Sequence, residues 1–168
     1  MNNKSIKFII SLFIAACFIV GAAGSVYGET YDALKGVDSI RAIVDFRVAS
    51  SKVAAIHLDL LNKTYKDKSL TAIDANPAFV IVFMGPGVKL ISTNREGVSA
   101  EDSKHLDTIA GIIKNMKKDG IKLEVCIAAV ELLGVDKATI LPEITKVQNG
   151  WISSIGYQHR GYALIPDF

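Results

Sequence analysis

Hydrophobic and polar positions change period several times along this chain, and each change marks an element. From Arg41 to Val48 they alternate, with Ala42, Val44, Phe46 and Val48 on one side and Ile43, Asp45 and Arg47 on the other. That period and the β-branched content predict a strand. Ser50 or Ser51 is placed to cap a helix in which Val53, Ile56, Leu60 and Leu61 recur at helical spacing, fading at Tyr65 to Lys68. Pro77 precedes an unbroken apolar run, Ala78 to Met84, which predicts a strand buried on both faces. Gly85-Pro86-Gly87 is a sharp turn, and a short apolar piece runs from Val88 to Ile91.

Ser99 and Asp102 form a capping-box-like pair, opening a helix whose buried stripe is Leu106, Ile109, Ile113 and Met116. Lys117 and Lys118 suit its last turn and Gly120 its end. Ile121 to Val125 predicts a third strand, with Cys126 at its end and a short helix from Ala128 to Leu133 stopped by Gly134. A helical turn at Asp136 to Leu141 and a small strand at Thr145 to Val147 follow. Asn149 then caps a helix carrying Trp151, Ile152 and Ile155, and Tyr162 to Ile165 predicts a last strand. Strands alternating with helices at this spacing imply βαβ units and a parallel sheet covered on both faces. The fold class is α/β.

The first 28 residues follow another rule. Lys4 and Lys7 precede an apolar run from Phe8 to Val20, and small residues run from Gly21 to Gly28. This is the tripartite pattern of a secretory signal peptide, with cleavage expected between Gly28 and Glu29. The rival is an uncleaved anchor, although the run from Phe8 to Val20, apolar but for Ser11, falls short of the roughly 20 residues of a membrane span. The expected division is a signal peptide at 1–28 and a single α/β domain at 29–168, exported to the periplasm and free of the membrane after cleavage. The whole chain has 168 residues and a net charge of +2. Loss of Lys4 and Lys7 brings the 19 basic residues level with the 17 acidic ones. A neutral domain without a cationic stripe argues against nucleic-acid binding.

Several chemistries lack their motifs. No G-x-G-x-x-G follows a strand, the Gly85 to Lys89 segment lacks Walker A spacing, and no G-x-S-x-G elbow exists. His57, His105 and His159 are far apart in sequence and no C-x-x-C occurs, so neither a metal site nor a cofactor is expected. His57 lies beside its helix's apolar stripe and reads as a hydrogen-bonded structural histidine; His159 reads as a helix-end residue or a subunit contact. Cys126 is the one candidate nucleophile. Ligands of parallel α/β sheets meet the carboxyl ends of strands, and a thiol followed at once by a helix faces an environment that favours thiolate. The opposing reading is a small buried hydrophobe. Without a second cysteine in the domain, any redox or transfer step needs another molecule or subunit.

The segment Leu123-Glu124-Val125-Cys126-Ile127-Ala128-Ala129, with Gly134-Val135 after it, resembles the DsrE/DsrF-like sulfur-relay family. So does the strand and turn Val82-Phe83-Met84-Gly85-Pro86-Gly87-Val88. Asn149-Gly150-Trp151, Gly156-Tyr157-Gln158 and the run from Gly161 to Pro166 resemble the close of its secreted branch. The likeness spans about Arg41 to Phe168. It implies a three-layer α/β/α sandwich with a mostly parallel sheet of about five strands, assembled as a homotrimer or hexamer. It implies that Cys126 carries sulfane sulfur as a persulfide, between a donor and an acceptor thiol protein that it does not name. The turn Gly85, Pro86, Gly87, Val88 follows a neighbouring strand on the same edge and is expected to border Cys126.

Two functions stay open at this point. One is a periplasmic sulfur carrier or sulfurtransferase centred on Cys126. The other is a non-catalytic oligomeric binding or scaffold protein in which Cys126 is a packed structural residue.

Overall fold

The computed structural model describes residues 31–168; the segment 1–28 expected to be a signal peptide, with Cys17 and the expected cleavage point, lies outside them. The elements are β1 (Arg41–Phe46), α1 (Ser51–Tyr65), α2 (Lys68–Thr71), β2 (Ala78–Phe83), α3 (Ala100–Lys118), β3 (Lys122–Cys126), α4 (Ile127–Leu132), β4 (Thr145–Val147), α5 (Gly150–His159) and β5 (Ala163–Asp167). A 3-10 segment, Gly85–Ile91, follows β2. The five strands form one sheet in the order β4-β3-β2-β1-β5, every neighbour parallel.

That order decides where the helices go. The chain steps from β1 to β4 in one direction, then crosses back over the sheet to place β5 beside β1. Right-handed crossovers running opposite ways put their helices on opposite faces. The alternation in β1 separates those faces as its sequence predicts. Ala42, Val44, Phe46 and Val48 join Ile81, Phe83, Leu123 and Val125 in the main core beneath α1, α3 and α4. Ile43 joins Val80, Val82, Met84, Cys126 and Tyr162 in a smaller core beneath α5. The result is the expected three-layer α/β/α sandwich, with one layer much thinner than the other.

Local chemistry sets the boundaries. Ser50 is the N-cap of α1, accepting from Val53 N–H at 3.4 Å, and Ser99 caps α3, accepting from Asp102 N–H at 3.0 Å. Leu106, Ile109, Ile113 and Met116 are the buried stripe of α3. Gly120, at φ +95°, turns the chain toward β3. The stripe expected on α1 is corrected. Its buried face is Ser51, Ala54, Ala55 and Leu58, while Val53, Ile56 and Leu60 are exposed. Small alanines let α1 lie close against α3, so the tighter-packing face is the less hydrophobic one.

Candidate functional site

Consecutive strands in register bring one row of side chains to the same edge. Phe46 pairs with Phe83 and Phe83 with Val125, so the residues one step further on are Arg47, Met84 and Cys126. All three lie on the thinly covered face, at the carboxyl ends of β1, β2 and β3. Parallel strands sit about 4.8 Å apart, which places the Arg47 and Cys126 backbones ~10 Å from each other with Met84 between.

The connection after β3 leads to α4 on the main-core face, and the connection after β4 leads to α5 on the other. Between those diverging connections a crevice must open, and this is where open parallel sheets bind ligands. A cleft of about 310 Å³ occupies the position. Arg47, Met84, Gly85 and Cys126 line it from the strand ends, Ala128, Ala129 and Leu132 from α4, and Asn149 and Trp151 from the start of α5. Cys126 is 6% exposed, a free thiol that is buried yet borders this cleft.

Helix α5 reaches the cysteine because its first residue has no side chain. A Cβ on Gly150 would stand 2.6 Å from Met84 Sδ and 3.1 Å from Cys126 Cβ. Asn149 caps the same helix, its Oδ1 accepting from Trp151 N–H at 2.9 Å. At α4 the first-turn amide of Ala128 donates to the Gln148 carbonyl at 3.1 Å. Fewer helix-terminal amides are therefore left for the thiol than the strand-to-helix step alone suggests.

Arg47 is the one charged side chain in the lining. Its Nε donates to Asp45 Oδ1 at 2.8 Å and its Nη2 to Asp45 Oδ2 at 2.9 Å, a bidentate grip. Those bonds push the guanidinium pKa further up, against a downward pull from burial, and the charges of Asp45 and Cys126 add to the rise. The same alternation that shows Arg47 facing Asp45's side could have drawn attention to it, once β1 and β3 are known to end on one edge. Met84, Asn149, Gly150 and Trp151 stand in segments that carry the family resemblance, but their place beside the thiol depends on how α5 lands.

Of the turn expected beside the cysteine, Gly85 lines the cleft. Pro86 is exposed, Gly87 and Val88 are buried, Val88 in the main core, and none of the three lines the cleft. A Cβ on Gly87 would lie 2.8 Å from the Phe46 carbonyl oxygen, a close approach that only glycine permits. His57 Nδ1 lies 2.6 Å from Asp167 Oδ1, tying α1 to the end of β5, and His159 is the last residue of α5. Among the described residues no group of three or more His, Cys, Asp or Glu is placed to hold a metal, and no helix is long and apolar enough to cross a membrane.

Beneath the far end of α5, Tyr157 Oη donates to Glu124 Oε1 at 2.8 Å, while Glu124 Oε2 is buried without a hydrogen-bond partner. Burial, then the bond to Glu124, pushes the Tyr157 phenol up to about 12. Tyr162 packs edge-on against Tyr157, ring centroids 5.0 Å apart, with the Arg160 guanidinium 5.5 Å from the Tyr157 centroid.

The model of the DsrE/DsrF-like family matches residues 52–166, from α1 to β5. The chain belongs to the DsrE/DsrF-like family. Among solved structures it is similar to a protein of unknown function, MTH1491, from Methanobacterium thermoautotrophicum. The two are 14% identical over 76% of this chain and 99% of the other, with a TM-score of 0.58, a likeness of fold. It also aligns with the ychN protein from E. coli, 11% identical over 77% of this chain and 99% of that one, at a TM-score of 0.47. No curated protein matches the chain.

Proposed function

We propose that this protein carries sulfane sulfur on Cys126 as a persulfide, in an exported compartment. The observation that carries the reading is the position of the thiol. Cys126 is the only cysteine among the described residues, and it borders a cleft at the point where the connections of a parallel sheet diverge.

The chemistry needs one thiolate and a donor. Cys126 thiolate attacks the outer sulfur of a sulfane-sulfur donor, the donor's S–S bond breaks, and its remaining fragment leaves with the electron pair. Cys126 then bears a persulfide anion, so charge and electron count are conserved. An acceptor thiolate reverses the exchange by attacking the terminal sulfur. With no resolving cysteine nearby, the carried sulfur leaves only to another molecule or subunit. The secreted-branch likeness and the export-type leader support a periplasmic setting, and the family supports assembly as a trimer or hexamer.

Intact-mass measurement after incubation with polysulfide tests the carrier. Cys126 gains about 32 Da, and the Cys126→Ser variant gains nothing. Absence of any gain on a thiol that still alkylates sinks the proposal.

One observation favours a second reading, a non-catalytic oligomeric scaffold. Trp151, Ile152 and Ile155 are 63%, 68% and 57% exposed on the outer side of α5, an apolar surface suited to burial against a partner. Under that reading Cys126 is merely packed, and it resists a small alkylating agent in the folded protein.

A further inference from the structure

Arg47 has a part in the carrier reading that the thiol alone does not define. Two of its five N–H groups hold Asp45, and its Nη1 hydrogens are left for a ligand. A Cβ added at Gly85 would stand 3.9 Å from the Arg47 Cγ, ordinary contact distance, so the turn runs alongside the arginine's aliphatic stem while Asp45 holds its guanidinium. The arginine and its carboxylate partner are 29% and 14% exposed. The cleft thus presents one immobilised cation whose charge is largely offset by Asp45. Met84 separates Arg47 from Cys126, and Ala129, Leu132 and Trp151 make the remaining wall mostly apolar.

Resting on the persulfide reading, we infer that the cleft selects a monoanionic organic sulfane-sulfur donor, with Arg47 receiving its anionic end and the apolar wall its organic body. A thiosulfonate is the simplest member of that class. Cys126 thiolate attacks the outer sulfur, the bond between that sulfur and the sulfonyl sulfur breaks, and the sulfinate leaves with the electron pair toward the Arg47 N–H groups. One anion enters and one leaves, and the persulfide keeps the thiolate's charge. A dianion such as thiosulfate fits poorly. Arg47, already paired with Asp45, has only its free N–H groups to give, and these hydrogen-bond one anionic end; a second charge meets apolar walls, which penalise it.

The test compares wild type with the double variant Asp45→Asn, Arg47→Met, which removes the cation without stranding a part-buried carboxylate and keeps an aliphatic stem against Gly85. Two rates are measured on Cys126: sulfur gain from benzenethiosulfonate and from thiosulfate, and alkylation by iodoacetate against neutral iodoacetamide. Wild type loads benzenethiosulfonate about tenfold faster than thiosulfate, and the variant loses about that factor, as expected for one charge-assisted hydrogen-bonding group. The iodoacetate-to-iodoacetamide ratio falls in the variant by a similar factor, a shift that a merely structural role for Arg47 does not produce. Equal loading of the two donors by wild type, or an unchanged alkylation ratio in the variant, overturns the inference while sulfur gain itself upholds the carrier. No sulfur gain from any donor, with the alkylation ratio still shifted, overturns the carrier and the assigned donor together and leaves Arg47 as an anion-selecting residue only.

Discussion

Tyr157 Oη donates to Glu124 Oε1 at 2.8 Å, a bond that fastens α5 to β3 two residues before the cysteine. Folded protein holds the phenol proton up to about 12, against 10.0 for an ordinary tyrosine. The folded state therefore binds this proton more tightly than the unfolded chain does. The resulting stability is complete below pH 10 and is lost as pH rises through about 12. A titration of the tyrosinate absorbance shows a late alkaline step that Tyr157→Phe removes. Because Glu124 Oε2 is already unpartnered, the same variant leaves the whole carboxylate without its donor and destabilises the protein by about 1 to 3 kcal/mol in urea melts.

Asp102 makes the opposite pH dependence. Ser51 Oγ donates to its Oδ1 at 2.6 Å and Ser99 Oγ to its Oδ2 at 2.8 Å, and these two bonds, the first larger in effect, hold the carboxyl below the usual carboxylate range. The unfolded chain then takes up this proton before the folded one does. Stability is complete above the ordinary aspartate value of about 3.9 and declines as pH falls through the folded value. Urea midpoints measured from neutral to acid pH fall less steeply for Asp102→Asn than for wild type.

Gly150→Ala probes the approach of α5 to the thiol. The new Cβ meets Met84 Sδ, which can swing away, and Cys126 Cβ, which is fixed by its strand. The expected loss is about 1 to 2 kcal/mol by overpacking, with alanine's better helix propensity offsetting less than about 1 kcal/mol. Thiol alkylation accelerates as the helix start is displaced. An unchanged rate means that α5 does not restrict access to Cys126.

Gly87→Ala separates packing from the cleft. Its Cβ would press on the Phe46 carbonyl oxygen, which also accepts from Met84 N–H at 2.9 Å and cannot move without breaking that bond. A loss of about 3 kcal/mol is expected in thermal or urea melts, larger than for Gly150→Ala.

The fold was largely legible because its elements announce themselves locally. Ser99 with Asp102, the stripe from Leu106 to Met116, and the unbroken run of β2 each depend on neighbours within a few residues. Cys126 at a strand end was legible for the same reason. The orientation of α1 was not, since Ala54 and Ala55 face inward only because α3 lies close, a tertiary demand that overrides the hydrophobic pattern. The second hydrogen bond on Asp102 reaches it from Ser51, across the fold, and leaves no local trace. The cleft lay between these extremes. Its thiol was visible, whereas Arg47, Met84 and Gly150 became neighbours of that thiol only through sheet order and the landing of one helix.

The unequal layers give the thiol a dynamic setting. The core under α5 holds few buried residues, whereas α1, α3 and α4 share the large one. Cooperative opening of the α5 layer therefore requires less free energy than global unfolding, and backbone amides from Trp151 to His159 exchange with solvent sooner than those from Ile109 to Met116. Under the carrier proposal, sulfur held at Cys126 is sheltered from bulk oxidants while the α5 layer is closed, and transfer to an acceptor falls in brief openings during which the rest of the domain stays folded.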